Sequence, residues 1–336
     1  MNKQTNRYYL QQFKGHQFRH GGVGYVDAEI ILEKNGYKPI ILPAAGFKGL
    51  LWIQRLRVML KLLFIIPAQS TVVFIFPVYA KMDRLLLKLL KKKGVRLICL
   101  LADIDGMKDD DAGLLDREIR QLRGYREFIV HNANMLTWLL INHPEARAVE
   151  LGLFDFLVTS MPGQRTKANR IVFAGALAKS GFLLQLEQLT TLHFNIYGPG
   201  IPEKVTDFTN CSYKGVFDPY ELPGIIQGSF GLVWDGDGLA KPAGSYGRYM
   251  SMISQHKLSL YIVSSLPVII HHSAACAHFV RSNNIGLVIS DLHEASEKII
   301  ALPEESYQLM QNNMIPLAAR IRAGQNLLDA LGKLGI

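Results

Sequence analysis

Cysteine is scarce in this chain of 336 residues: Cys99, Cys211 and Cys276 stand far apart and are odd in number. This argues against a disulfide framework and against a cysteine metal site. No run of about 18 consecutive apolar residues occurs, so a spanning helix is not expected. The opening MNKQTNRYYL carries no apolar core of a signal peptide, and a cytoplasmic location follows as the expectation. Charge is also sparse, at 19% of residues against 49% hydrophobic, which excludes a disordered or fibrous chain. The length fits two globular domains of about 150 residues each.

What charge there is leans one way. The net value of +9 calls for an anionic partner: nucleic acid, a nucleotide or an acidic bilayer surface. The basic residues crowd into Leu50 to Lys93, where LWIQRLRVMLKLLFII mixes bulky apolar side chains with Arg55, Arg57 and Lys61, and LLLKLLKKKG follows. That mixture suits an interfacial helix at the inner face of the cell membrane. It equally suits two amphipathic helices packed on a sheet, with Lys91, Lys92 and Lys93 at a helix C-terminus. Aromatic residues do not interleave with the basic run as a strand-stacking groove requires, so no nucleic-acid partner is expected.

Short β-rich apolar runs alternate with helical patterns along the whole chain, the signature of βα units in parallel sheets. The first half offers RYYLQQF, KPIILP, TVVFIFPVY, VRLICLLAD and EFIVHN, with FDFLVTS as a weaker sixth; the second offers RIVFAG, HFNIYG, SYKGVF, GLVWDG, LPVIIHH and GLVIS. Between them the polar stretch Met161 to Arg170 has no apolar period and a Pro-Gly pair, and it reads as the interdomain linker. The expected fold is α/β, two doubly wound sheets facing a cleft, with ligands beyond the carboxyl ends of the strands.

The strongest chemical constellation lies in GLVWDGDGLAKPAGSYGRYMSMISQHKLSLYIV. A strand ends at Trp234, and a loop with Asp235, Gly236 and Asp237 leads to Ser254, which is expected to cap a helix running on to Ser264. Gln255, His256 and Lys257 open that helix, so unpaired N–H groups, a positive dipole end and a full charge would meet a diphosphate. In FAGALAKSGFL, Gly175 ends a strand and Lys179 stands near the next helix, within reach of the same phosphates. Tyr213 in SYKGVF could pack against a base or ribose, although half-buried strand tyrosines are commoner. Gly21, Gly22 and Gly24 precede a helix and allow close backbone approach to a ligand, without completing a dinucleotide fingerprint. Asp103 and Asp105, after the fourth strand, are the candidates for a general base toward an acceptor hydroxyl. Asp103-Ile-Asp105 and Asp235-Gly-Asp237 also spell the Asp-x-Asp pattern of metal-dependent sugar transfer, but the lysines and helix dipole point to neutralisation without a metal or other cofactor.

FDFLVTS, FAGALAKS, FGLVWDGDG, AGSYGRYM and SQHKLSLYIVSSLPVII resemble the bacterial β-1,6-galactofuranosyltransferases of O-antigen synthesis. They are similar, more distantly, to the glucosyltransferases that extend GlcNAc on serine-rich-repeat adhesins. The likeness covers most of the chain and is densest from Phe154 to Ser290. It implies a GT-B fold, a UDP-sugar donor, a glycan acceptor on a lipid carrier or protein, and a homo-oligomer. It also implies an acceptor-binding domain over 1–163, a UDP-sugar-binding domain over 164–310 and a C-terminal helix, 311–336, returning to the first domain. For the UDP-sugar site it implies Lys179, Tyr213 and the segment Ser254, Gln255, His256, Lys257, Leu258 and Ser259, with Gly21 and Gly22 from the first domain. The family pattern has Asn-Pro-His-Lys where Ser254 to Lys257 stand, and Asn-Leu-Ser-Arg where Ala176 to Lys179 stand. The expected activity is hexose transfer, of galactofuranose or glucose. A UDP-sugar epimerase on the same architecture, or a non-catalytic partner of another transferase, remains open.

Overall fold

The computed structural model describes residues 6–13, 22–43 and 48–336. Among them, β1 (Arg7–Leu10), β2 (Lys38–Ile40), β3 (Thr71–Phe76), β4 (Arg96–Leu101), β5 (Glu127–Val130) and β6 (Arg147–Glu150) form one sheet in the order β2-β1-β3-β4-β5-β6. A second sheet holds β7 (Arg170–Ala174), β8 (His193–Tyr197), β9 (Cys211–Gly215), β10 (Phe230–Val233), β11 (Val268–His271) and β12 (Gly286–Ile289), in the order β12-β11-β10-β7-β8-β9. All pairings are parallel. The helices of the first half are α1 (Val23–Lys34), α2 (Lys48–Ile65), α3 (Lys81–Lys92), α4 (Asp105–Lys108), α5 (Ala112–Leu122) and α6 (Ala133–Asn142). Those of the second are α7 (Leu222–Ile225), α8 (Gly244–Tyr249), α9 (His256–Val263), α10 (Ala277–Ser282), α11 (Ala295–Ala301), α12 (Glu304–Arg322) and α13 (Gln325–Lys333).

Strand β3 shows why the first sheet is covered on both sides. All six residues of TVVFIF are buried, and the two-residue period divides them. Val72, Phe74 and Phe76 pack with Leu86, Leu87 and Leu90 of α3 and Met135 and Leu139 of α6. Val73 and Ile75 face Ala28, Ile31 and Leu32 of α1 and Leu327, Ala330 and Leu331 of α13. The chain's last helix therefore covers the first sheet, whereas α12 packs through Met314, Ala318 and Ile321 into the core shared by Val172, Val233 and Tyr261 of the second half.

The sixth strand of the first sheet is RAVE, not FDFLVTS. RAVE is short, has an exposed charged residue at each end and lies at the sheet edge, so it lacks the apolar run that marks a buried strand. Residues 151–169 carry no strand or helix. The crossing thus begins ten residues before Met161, and the apolar residues of FDFLVTS serve it: Phe154, Phe156 and Val158 are buried between the two halves.

Polar contacts fasten this crossing. Asp27 of α1 accepts from the Leu157 backbone N–H at 3.0 Å and from the Tyr220 hydroxyl, which comes from the second half, at 2.7 Å. Asp155 accepts from the N–H groups of Asn326 and Leu327 at the start of α13, at 3.2 and 2.9 Å. Burial raises Asp27 to about 6 and Asp155 to about 7, against the lowering effect of these hydrogen bonds. Both carboxyls bind protons more readily folded than unfolded, so their contribution to stability is full below the unfolded value of 3.8 and is lost as pH rises through about 6 and 7. Asp27→Asn keeps an acceptor for Leu157 and a donor for Tyr220. It is expected to flatten the fall in stability between pH ~4 and ~6, measured by urea titration at each pH; an unchanged slope would show that Asp27 does not titrate there.

Candidate active site

A cleft of about 380 Å³ opens where the carboxyl ends of the two sheets face each other. In the second sheet β7 and β10 are neighbours although β8 and β9 come between them in sequence, and this switch point is where open α/β sheets place ligands. Gly175 follows β7, Gly198 follows β8, Asp235 closely follows β10, and the first turn of α9 completes this wall.

Lys257 is the centre of the wall. Its ammonium lies 2.7 Å from Asp235 Oδ1, 3.2 Å from the Trp234 carbonyl and 4.7 Å from the centre of the Phe173 ring. The two charged side chains are 11% and 8% exposed, a desolvated pair that needs its full set of partners. Desolvation lowers Lys257 to about 8, with Asp235 pulling the other way. Gly175 makes room for it: at φ +148° the backbone suits glycine, and a Cβ there would lie 3.1 Å from Lys257 Cε. Lys179 is exposed on the rim, its ammonium 5.3 Å from the Tyr246 ring centre.

The first domain supplies the opposing wall. Asp103, just past β4, accepts from the Tyr25 hydroxyl at 2.7 Å and from the Tyr249 hydroxyl at 3.2 Å, with the Lys108 ammonium 3.5 Å away. Tyr249 belongs to α8 of the second half, is buried in the first domain's core and also accepts from the Ile104 N–H at 2.8 Å. His131, just past β5, accepts from the Ser254 N–H through Nδ1 at 3.1 Å. Burial lowers both His131 and His256 to about 3, so both rings are neutral. His256 stacks on Phe154 at 4.0 Å and meets Tyr25 edge-on at 5.8 Å, and both its ring nitrogens are buried with no hydrogen-bond partner among the described residues.

The expected site residues divide into those on the cleft and those behind it. Asp103, Gly175, Lys179, Asp235, Ser254, Gln255, His256 and Lys257 all line it. Asp105 does not; it is buried and engaged by the Tyr79 hydroxyl at 2.7 Å and by Lys108. Lys108 thus stands between the two carboxylates of Asp103-Ile-Asp105, where a metal would have to sit. In Asp235-Gly-Asp237, Asp235 turns inward to Lys257 while Asp237 is exposed and off the cleft lining. Among the described residues no group of three or more His, Cys, Asp or Glu converges as metal ligands would.

Tyr213 lies on β9 away from the cleft, but its hydroxyl donates to the carbonyl of Gly198, which lines it, at 3.0 Å. Leu258 and Ser259 are buried in the core, the Ser259 hydroxyl donating to the Phe154 carbonyl at 2.6 Å. Gly236, at φ +88°, packs so closely on the Ala243 carbonyl that a Cβ would lie 1.9 Å from it, and it shapes the loop without reaching the cleft. Gly22 sits at the cap of α1, its carbonyl accepting from Tyr25 and Val26; Gly21 lies outside the described residues. Ser254 does not cap α9. The cap is Gln255, without a side-chain cap bond, because the Ser254 N–H is spent on His131 and its hydroxyl accepts from Asn132 across the domain contact at 3.2 Å. The helix ends at Val263.

Two facing parallel sheets with this cleft between them define the GT-B glycosyltransferase class. A solved structure of that kind, the pneumococcal O-GlcNAc transferase GtfA in complex with UDP and GlcNAc, matches 84% of this chain with a TM-score of 0.57 at 15% identity, the match spanning 59% of that chain. More particularly, residues 7–153 match the N-terminal domain and residues 171–334 the C-terminal domain described as glucosyltransferase 3-like; the chain belongs to the glucosyltransferase 3-like family. The β-1,6-galactofuranosyltransferase WbbI of Escherichia coli K12 is 28% identical over 246 residues, 70% of each chain. Glucosyltransferase 3 of Streptococcus gordonii is 28% identical over 169 residues, 49% of this chain and 48% of that protein.

Proposed function

We propose that the protein transfers a hexose, galactofuranose or glucose, from a UDP-sugar to a hydroxyl of a glycan acceptor carried on a lipid or a protein. The observation that carries this is the Lys257–Asp235 pair at the first turn of α9, facing the cleft at the switch point of the second sheet. The diphosphate would lie against the N-terminus of α9, with Lys257 on one side and Lys179 reaching in from the rim. When the glycosidic bond breaks, charge develops on the departing UDP, where these cations and the helix dipole are already in place. Metal assistance is not required in this scheme: Lys257, Lys179 and the α9 terminus neutralise the phosphates.

Across the cleft, Asp103 is the one of the two expected carboxylates that lines it. In an inverting transfer it would take the proton of the attacking hydroxyl, exchanging its bond from Tyr25 or Tyr249 for one from the acceptor. A panel of UDP-, GDP- and CMP-sugars, scored for hydrolysis, product and thermal stabilisation, tests the assignment. Turnover and stabilisation by UDP-glucose or UDP-galactofuranose, unaffected by a chelator, are expected; a response restricted to GDP- or CMP-sugars overturns it. Asp103→Asn is expected to lower kcat for transfer about 10²-fold or more while leaving UDP affinity within a few-fold; equal kcat values would remove Asp103 from the chemistry.

A further inference from the structure

We propose that the outer face of α2 docks the protein onto an anionic lipid bilayer. The amino-acid sequence concentrates its charge there. Residues 48–93 contain ten Lys and Arg against Asp83 alone, which leaves 27 basic and 27 acidic residues in the remainder of the chain. The whole net charge of +9 therefore resides in this one segment, built of α2, β3 and α3.

The geometry adds an apolar face to that charge. Leu50, Ile53, Leu60 and Phe64 of α2 are 59%, 44%, 57% and 90% exposed. With Arg57 they follow the spacing i, i+3, i+7, i+10, i+14, which puts them in one stripe along the helix. Ile65, 51% exposed, extends it at the C-terminal end. The opposite side of the same helix is satisfied, with Met59 buried and Leu56, Leu62 and Leu63 packed on the core beneath β3. Core packing therefore accounts for one face of α2, and among the described residues no packing partner accounts for the other. Arg57 and Lys61 are exposed within and beside the stripe, and Lys88, Lys91 and Lys92 are exposed on neighbouring α3.

Charge chooses the occupant. Helix α2 contains no acidic residue, so a second copy laid along this stripe would set Arg57 and Lys61 against like charges with no carboxylate on α2 to answer them. An anionic headgroup layer answers every one of them, while Ile53, Leu60 and Phe64 enter the acyl boundary and the long basic side chains reach back to the phosphates. Among the described residues no helix is long and apolar enough to cross a membrane, so the contact is with the surface. The expected orientation lays α2 in the membrane plane, which would suit an acceptor carried on a lipid; the docking itself does not depend on the transfer reading.

Vesicle flotation of the full chain tests this without any activity measurement. The wild-type protein is expected to float with phosphatidylcholine vesicles containing about one third phosphatidylglycerol, and not with phosphatidylcholine alone. Binding should fall about tenfold or more between ~0.1 and ~0.5 M salt. Ile53→Ser/Leu60→Ser/Phe64→Ser and, separately, Arg57→Glu/Lys61→Glu should each lose about tenfold or more in vesicle affinity while unchanged circular dichroism and thermal unfolding show an intact fold. The charge-reversal pair leaves the apolar stripe whole, so its loss is not a folding effect. Absence of flotation by the wild type, or binding that neither variant changes, overturns the proposal. So does a wild-type oligomer that the serine variant dissolves without any lipid binding, which would assign the face to a second copy.

Discussion

Lys257→Ala is expected to lower kcat/KM for sugar transfer by about 10²-fold, the effect of deleting one preorganised partner of a developing anion. The ammonium is held by Asp235 at 2.7 Å and by the Trp234 carbonyl at 3.2 Å, so it is in place before the donor arrives. Removing it also strands a buried carboxylate, at a cost of about 3–5 kcal/mol. The activity loss must therefore be read beside Lys257→Met/Asp235→Asn, which removes both charges and keeps the volume. That double variant should recover most of the stability and none of the turnover. Lys257→Arg is not expected to rescue, because Gly175 leaves only a narrow slot beside Cε and a planar guanidinium cannot occupy it in the same way. Full transfer by Lys257→Ala would remove the phosphate assignment.

The same residue fixes a pH dependence. Its folded value is lowered from 10.5 to about 8. In the free enzyme the cation is lost as pH rises through about 8, and kcat/KM should decline there, well below the range of an ordinary lysine. Stability of the unliganded protein moves the opposite way. The unfolded chain binds the proton more tightly, so between about 8 and 10.5 rising pH relieves the cost of burying the ammonium. A decline in activity accompanied by a gain in Lys257-dependent stability, absent in Lys257→Met/Asp235→Asn, is the paired signature to measure.

Much of the fold was legible because the strands are buried on both faces. TVVFIF and RLICLL, with five or more buried residues each, can be little else than central parallel strands, and the residues just past them are forced to the cleft. That rule found Asp103 and Asp235. It would also have found His131, the first residue after EFIV, had strand ends been followed systematically. RAVE escaped because an edge strand needs only one covered face, and FDFLVTS misled because a buried crossing has the composition of a strand. Tyr25 and Tyr249 were illegible for another reason. A tyrosine at helical spacing looks like core, and only the docking of α8 onto the first domain makes Tyr249 a partner of Asp103. Tyr213 marked the opposite limit: its hydroxyl holds a loop carbonyl of the cleft, and the tyrosine itself is not part of the cleft lining.

One contact between the two domains requires an absent side chain, and Gly24→Ala should expose it. A Cβ at position 24 would fall 1.7 Å from His256 Cε1, 2.5 Å from Nδ1 and 2.9 Å from Nε2, distances at which one group must leave. The imidazole has Phe154 stacked on one face at 4.0 Å and Tyr25 edge-on at 5.8 Å, and its open direction is the cleft it lines. Two responses are available to the protein. Either His256 swings into the donor space, or α1 lifts from α9 and carries Tyr25 away from Asp103; transfer fails in both. Overpacking of this kind costs about 1–3 kcal/mol, and turnover is expected to fall about 10²-fold because misplacement by one ångström is enough to do so. His256→Ala alone opens a void, whereas Gly24→Ala/His256→Ala places a methyl group where the ring stood. The double variant should therefore be more stable than the sum of the single changes predicts, with a coupling of about 1 kcal/mol or more by denaturant titration. Strict additivity would mean that the Gly24–His256 contact between α1 and α9 does not form in solution.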